Sequence, residues 1–296
     1  MPLLSFTNTD EQPSSRSSDT NLSHSGPFLL TDTHESTTAL FASLGRLFLG
    51  VSFLVFGFQE FRYAGEVPDL GLVPYGAPGH RLLGWLAGAI LLAGAAAVFS
   101  GKHLRFLALV LGPAFLLAAV ARFFFHIPEL FTSTPYRTVF FELISCCAGS
   151  WMLASLLPVS GASSPLAHKL GAIGYWLFAV AGIIYGIGHF QASAFVASVI
   201  PGWIPHPLFF TWFTGAALIA AGLAMAARVW ARPAAALLGL MFFLWVVLLH
   251  APRIAHALHD GDEWNSGFVC LTMAGCALLA AALAGQREQR VVASRP

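Results

Sequence analysis

The residues able to do chemistry in this chain are few, and most gather at helix ends. Glu60 stands near the end of one apolar run, and His189 occupies the matching place 129 residues later. His126 and His250 end two further runs, and the Pro two residues beyond each one closes a helix. Arg122 lies four residues, about one helical turn, before His126. Glu142 falls about two turns into the next, antiparallel run, so the expectation is an ion pair between Arg122 and Glu142 at similar depth. That pair either locks two helices in register or, joined by Glu60 and His126, forms a buried cluster for a proton or an anion. Polar groups at such depth are functional-site candidates by default.

His189 and His250 suggest a second chemistry. Two imidazoles on facing helices can ligate haem iron or hold a quinone carbonyl. Haem is disfavoured, because the other half of the chain has Glu60 where the second has His189. A quinone needs only a donor or two in an aromatic slot. Trp212, Phe242, Phe243, Trp245, Tyr185 and Phe190 are available to line it, with Arg253 and Glu263 to orient the imidazoles. His256, His259, Asp260, Asp262 and Glu263 are ligand types at short spacing, but without a second matching cluster they read as a solvated acidic loop rather than a zinc site. No metal is expected. Cys146 and Cys147 are adjacent and so point about 100° apart on a helix, while Cys270 and Cys276 are separated around another, which suits inert buried thiols.

The elements that carry these residues follow from composition. Of 296 residues, 57% are hydrophobic and 10% charged, against about 25% charged in soluble domains. Fifteen basic and 14 acidic side chains cannot coat a globule of 31.6 kDa. A cytosolic enzyme and a secreted disulfide scaffold are excluded, and a net charge of +1 gives nucleic acid no basic surface. The partner of most side chains is a lipid bilayer, whose core takes about 20 apolar residues per helix. Eight windows qualify, at roughly 39–61, 82–100, 105–126, 137–157, 169–188, 207–227, 231–250 and 265–284. The expected fold is an all-α polytopic membrane protein.

Residues 1–37 are Ser-, Thr-, Asp- and Asn-rich and read as a disordered tail, with the first apolar run as a retained signal-anchor. Residues 286–296 read as a second tail. Ten Lys and Arg (Arg16, Arg46, Lys102, Arg105, Lys169, Arg228, Arg232, Arg287, Arg290 and Arg295) fall on the side of the termini. Only Arg62, Arg81, Arg137 and Arg253 fall opposite, with Arg122 just inside, so both termini are expected in the cytoplasm of a cell or inner membrane. The uncharged loop 190–206, with Phe195 and Trp203, suits the lipid interface or a pocket lid.

The chain also repeats itself. Gly57-Phe58-Gln59-Glu60-Phe61 matches Gly186-Ile187-Gly188-His189-Phe190 at an offset of 129, and Trp85-Leu86-Ala87-Gly88-Ala89 matches Trp212-Phe213-Thr214-Gly215-Ala216 at 127. Leu111-Gly112 matches Leu238-Gly239 at 127, His126-Ile127-Pro128 matches His250-Ala251-Pro252 at 124, and Ala148-Gly149 matches Ala274-Gly275 at 126. Four helices per half, over 38–158 and 166–285, insert in the same sense and give a parallel repeat about an axis along the membrane normal.

Several of these segments resemble the DoxX-like membrane proteins: the Gly50 to Gly57 helix opened by Arg46, the Trp-x-x-Gly-Ala start at Trp85, and the short Arg105-bearing turn before helix three. The run Leu237–Arg253 and the Gly261-Asp262-Glu263-Trp264 entry to helix eight add to the likeness, which spans about 39–284 as two four-helix units in tandem. The resemblance implies a small membrane subunit or accessory of a quinone-linked redox complex, with other subunits of that complex as partners. Related four-helix quinone enzymes that form disulfides use a Cys-x-x-Cys pair, which this sequence lacks. A small-solute or proton-coupled transporter built on Glu60, Arg122 and Glu142, and a non-catalytic anchor, stand as the other readings.

Overall fold

The structure, a computed structural model, describes residues 26–63, 71–74, 76–157 and 164–294, with side chains of the first helix described from residue 35. Eleven α-helices follow in order: α1 (Gly26–Tyr63), α2 (His80–Ser100), α3 (Leu104–Phe123), α4 (Ile127–Thr132), α5 (Thr134–Leu156), α6 (Pro165–Gln191), α7 (Ser193–Val199), α8 (Pro207–Ala227), α9 (Ala231–Trp245), α10 (Ala251–His256) and α11 (Gly261–Ala293). Among the described residues there is no strand. Eight spans are long and apolar enough to cross a bilayer: α1, α2, α3 with α4, α5, α6, α8, α9 with α10, and α11. All eight coincide with the windows read from the sequence.

Helix starts use the devices that unsatisfied N–H groups require. Pro135, Pro165 and Pro207 stand in the first turns of α5, α6 and α8, where the missing N–H costs nothing. The Ser164 hydroxyl accepts from Ala167 N, and the Asp260 carboxylate accepts from Asp262 N, to cap α6 and α11. The ends run past the hydropathy windows. α1 already begins at Gly26, inside the stretch expected to be a disordered tail; residues 1–25 lie outside the described residues. α11 continues through the expected second tail to Ala293, because nothing in Gln286–Val292 breaks a helix.

Helix packing follows the repeat. In the first half α1 packs on α2, α2 on α3, and α3 on α5; in the second, α6 packs on α8, α8 on α9, and α9 on α11. The halves then cross over, with α1 on α11 and α6 on α5, and α5 meets α11 between them. Two lobes result, sharing a central α5–α11 pair. In their most apolar 18-residue stretches, α11 has 89% of its residues buried and α5 72%, against 22% for the seventh span, which lies outermost.

Glycine makes the crossover contacts possible. A methyl on Gly45 would stand 2.8 Å from the Gly275 carbonyl oxygen, and one on Gly174 would stand 2.6 Å from that of Ala148. Gly45 and Gly174 are repeat mates at 129, and the mate of Gly275 is Gly149, next to Ala148, so a closely similar contact occurs in both lobes, one residue apart in register. Close backbone approach of this kind is how helices associate where burial from water supplies no drive.

Candidate functional site

The second lobe gathers its polar side chains at the end opposite the termini. α9 does not finish as an α-helix there: Val246–His250 form one turn of π-helix, closed by Ala251 N–H donating to the Val246 carbonyl. Pro252 follows, and its ring crowds the carbonyl four residues back while offering no N–H, so a wider turn accommodates it. Single π turns within α-helices occur frequently at functional sites.

His250 lies on that turn against α11, where Gly267 makes room for it: a methyl there would be 3.3 Å from His250 Cβ. Its Nδ1 is buried and has no hydrogen-bond partner among the described residues. Beside it Arg253 grips Glu263 with two bonds, Nε to Oε2 at 2.8 Å and Nη2 to Oε1 at 2.6 Å. The side chains are 37% and 17% exposed, so this bidentate pair clamps α10 onto α11 at the membrane edge. Both charges act on the His250 ring.

His189 comes from α6. Its Nδ1–H donates to the Tyr185 carbonyl at 2.8 Å, which fixes the ring and leaves Nε2 to serve a ligand. The ring lies 5.6 Å from that of Trp245, centroid to centroid, at 30°. One turn deeper, the Tyr185 hydroxyl and Ser145 Oγ are 3.0 Å apart in a buried hydrogen bond. Glu142, one turn from Ser145 on α5, acts electrostatically on Tyr185 and Cys270. Phe242 packs edge-on against Trp245 at 6.1 Å and accepts at its carbonyl from Cys270 Sγ at 3.3 Å. This end of the lobe thus combines two imidazoles, a phenol and an indole.

The first lobe carries different groups at the same end. Glu60, only 2% exposed, accepts from Leu72 N at 2.7 Å through Oε1, while its Oε2 is buried with no partner among the described residues. Arg122 donates from Nη1 to the Gly71 carbonyl at 3.1 Å and acts on Glu60 by charge. The Gly71–Leu72 segment is thereby tied to both α1 and α3. Gln59 donates from Nε2 to the Gly261 carbonyl at 3.0 Å and leaves Oε1 buried without a partner among the described residues.

These contacts sort the residues expected from the sequence. Glu60 and Arg122 interact by charge and both bond the Gly71–Leu72 backbone; His250, Arg253 and Glu263 stand together; His189 meets Trp245. The partners seen for Arg122 are Gly71 and Glu60, and its pairing with Glu142 remains an expectation.

Two residues are placed elsewhere than expected. Trp212 is 48% exposed on the lipid side of α8, as is its repeat mate Trp85, so it lines no slot. His126 belongs to no buried cluster. The helix tightens into a 3-10 turn over Phe124–His126, which turns the imidazole outward, where it pairs with Glu129 at 3.5 Å. Of the other slot residues, Phe190 and Phe243 are also largely exposed, Phe243 stacking on Phe48. Phe195 and Trp203 of the connecting segment point outward, as residues of the lipid interface do.

Gln59 and Ser145 were missed, although each is a polar residue in an apolar window, which is the signal that marked Glu60. Among the described residues no group of three or more His, Cys, Asp or Glu is arranged to hold a metal ion. Compared with protein-family models, with curated proteins and with solved structures, the chain has no match.

Proposed function

We propose that the second lobe binds the ring of a membrane quinone at the end opposite the termini, and that the chain serves a membrane redox complex as a quinone-binding subunit. The observation that carries this reading is His250: a buried Nδ1 without a partner among the described residues, on a π turn that directly follows Trp245, the residue whose ring meets His189. An unpartnered polar atom at such depth is costly, and a ligand oxygen would relieve it. His250 Nδ1 donates to a quinone carbonyl, while His189 Nε2, its other nitrogen already committed, accepts from the hydroxyl of the reduced ring. Trp245 and Phe242 supply the apolar walls. The DoxX-like motifs of the sequence support the redox setting, and the preponderance of Lys and Arg on the side of the termini supports a cytoplasmic location for both.

The test is the identity of the co-purified small molecule by mass spectrometry, followed by quinone titration of the delipidated protein. His250→Ala and His189→Ala are each expected to weaken binding about tenfold, the worth of one buried hydrogen bond. Unchanged affinity in both variants refutes the site.

A second reading draws on Glu60, whose buried Oε2 lacks a partner among the described residues and which feels the charge of Arg122. A polar path through the first lobe would make the chain a proton-coupled permease. Reconstituted vesicles that acidify or take up solute with the chain, but not with Glu60→Gln, would favour it.

A further inference from the structure

Between α8 and α9, in the half of the span nearer the termini, runs a wholly apolar groove of about 350 Å³. That volume lies within the roughly 300–1,000 Å³ of small-molecule sites. The groove exists because α8 offers only alanine there, at positions that include Ala217, Ala221 and Ala224, which leave the space between the helices unfilled. Leu237 and Trp230 on its rim are 65% and 82% exposed, so it opens to lipid rather than to the interior. Its α9 wall includes Ala234, Leu238 and Met241. Steps of three and four residues keep that stripe on one helix face, and the next step reaches Trp245. Trp245 is the ring that meets His189. One end of the groove thus lies a single turn from the site described above.

The first lobe is built otherwise at the matching positions. At an offset of 127, Ile90 stands for Ala217, Phe106 for Pro233 and Leu107 for Ala234, whereas the smaller Gly94 stands for Ala221 and Ala114 for Met241. The imidazoles and this groove occur in the same lobe, while the other has Glu60 in the place of His189 and a different set of side chains at the groove positions.

We infer that this groove seats the isoprenoid tail of the ligand whose ring is held at His189 and His250; the inference rests on the quinone reading. From Met241 to Trp230 the helix rises roughly 16 Å, enough for several isoprene units. The continuity of the α9 stripe with Trp245 selects this occupant over a phospholipid chain, which would enter from the headgroups at the Trp230 end and have no reason to track toward His189.

The test uses the full-length protein in nanodiscs and two photoreactive probes, a quinone with a diazirine in its tail and a phospholipid with a diazirine in one acyl chain. The quinone probe is expected to label α8 and α9 between Ala217 and Met241. A tailless quinone is expected to displace that labelling, and Ala221→Phe or Ala217→Phe to abolish it without changing the affinity for the tailless quinone. Labelling by the phospholipid probe alone, labelling that the tailless quinone does not displace, or quinone adducts confined to other helices would overturn the groove assignment. Failure of the tailless quinone to bind the unmodified protein would instead overturn the ring site, so the two ideas fail separately.

Discussion

Gly174→Ala probes the crossover contact between the lobes. The added methyl would stand 2.6 Å from the Ala148 carbonyl oxygen, about 0.8 Å short of an ordinary 3.4 Å contact. The atom in its way is backbone, so no side chain can rotate aside and α6 must move off α5. Overpacking of this kind costs about 1–3 kcal/mol, and a rigid obstacle puts the change in the upper half of that range. Replacing glycine by alanine in a helix also returns about 1 kcal/mol of propensity. Gly182→Ala on the same helix isolates that gain, because nothing there lies closer than 3.6 Å. The difference between the two variants therefore reports the contact alone, at about 2–3 kcal/mol. Gly45→Ala, facing the Gly275 carbonyl at 2.8 Å, should behave as Gly174→Ala does. Unfolding free energies in mixed micelles or by steric trapping give the values. Equal stability of Gly174→Ala and Gly182→Ala, within about 0.5 kcal/mol, would refute the reasoning, since unexceptional sites vary by that much.

Other consequences are simpler to read. Cys146, Cys147 and Cys276 are wholly buried and Cys270 nearly so, so maleimide should leave the folded protein unmodified and label all four thiols after unfolding in SDS. In quinone titrations Trp245→Ala should weaken binding about tenfold by removing one aromatic wall, whereas Trp212→Ala, on the lipid face, should change nothing. Glu60→Leu removes the acceptor for the Leu72 amide and should speed hydrogen exchange there, while Glu60→Gln keeps an oxygen in place and should preserve protection; equal exchange in both would show that the Leu72 bond does not hold the segment.

Much of this architecture is legible in the residues because lipid imposes one strict demand, a run of apolar helix, and each run is visible. The repeat was equally open to reading, through pairs such as Gly57 with Gly186 and Trp85 with Trp212, and the two lobes follow the same pairing. Facing was harder. A helix such as α8 is apolar on its buried and lipid sides alike, so no periodicity separates Trp212, which looks outward, from Thr211, which is buried. Trp212 was therefore expected in a slot that it does not line. His126 and His250 share a His-x-Pro setting, yet one follows a 3-10 turn and faces out while the other ends a π turn and faces α11. That choice depends on whether a neighbour such as Gly267 leaves room, which is a property of packing. Polarity is the dependable signal: Glu60, His189 and the Arg253–Glu263 pair all meet specific partners, and His250 stands out by a buried Nδ1 that lacks one among the described residues.

The central claim is that a ring occupies the far end of the second lobe, and a structure of the protein extracted with its native lipids tests it most directly. The account predicts planar ligand density in contact with His250 Nδ1 and His189 Nε2, walled by Trp245 and Phe242. Protein side chains closed against one another there, with His250 Nδ1 bonded to a protein group, would contradict it.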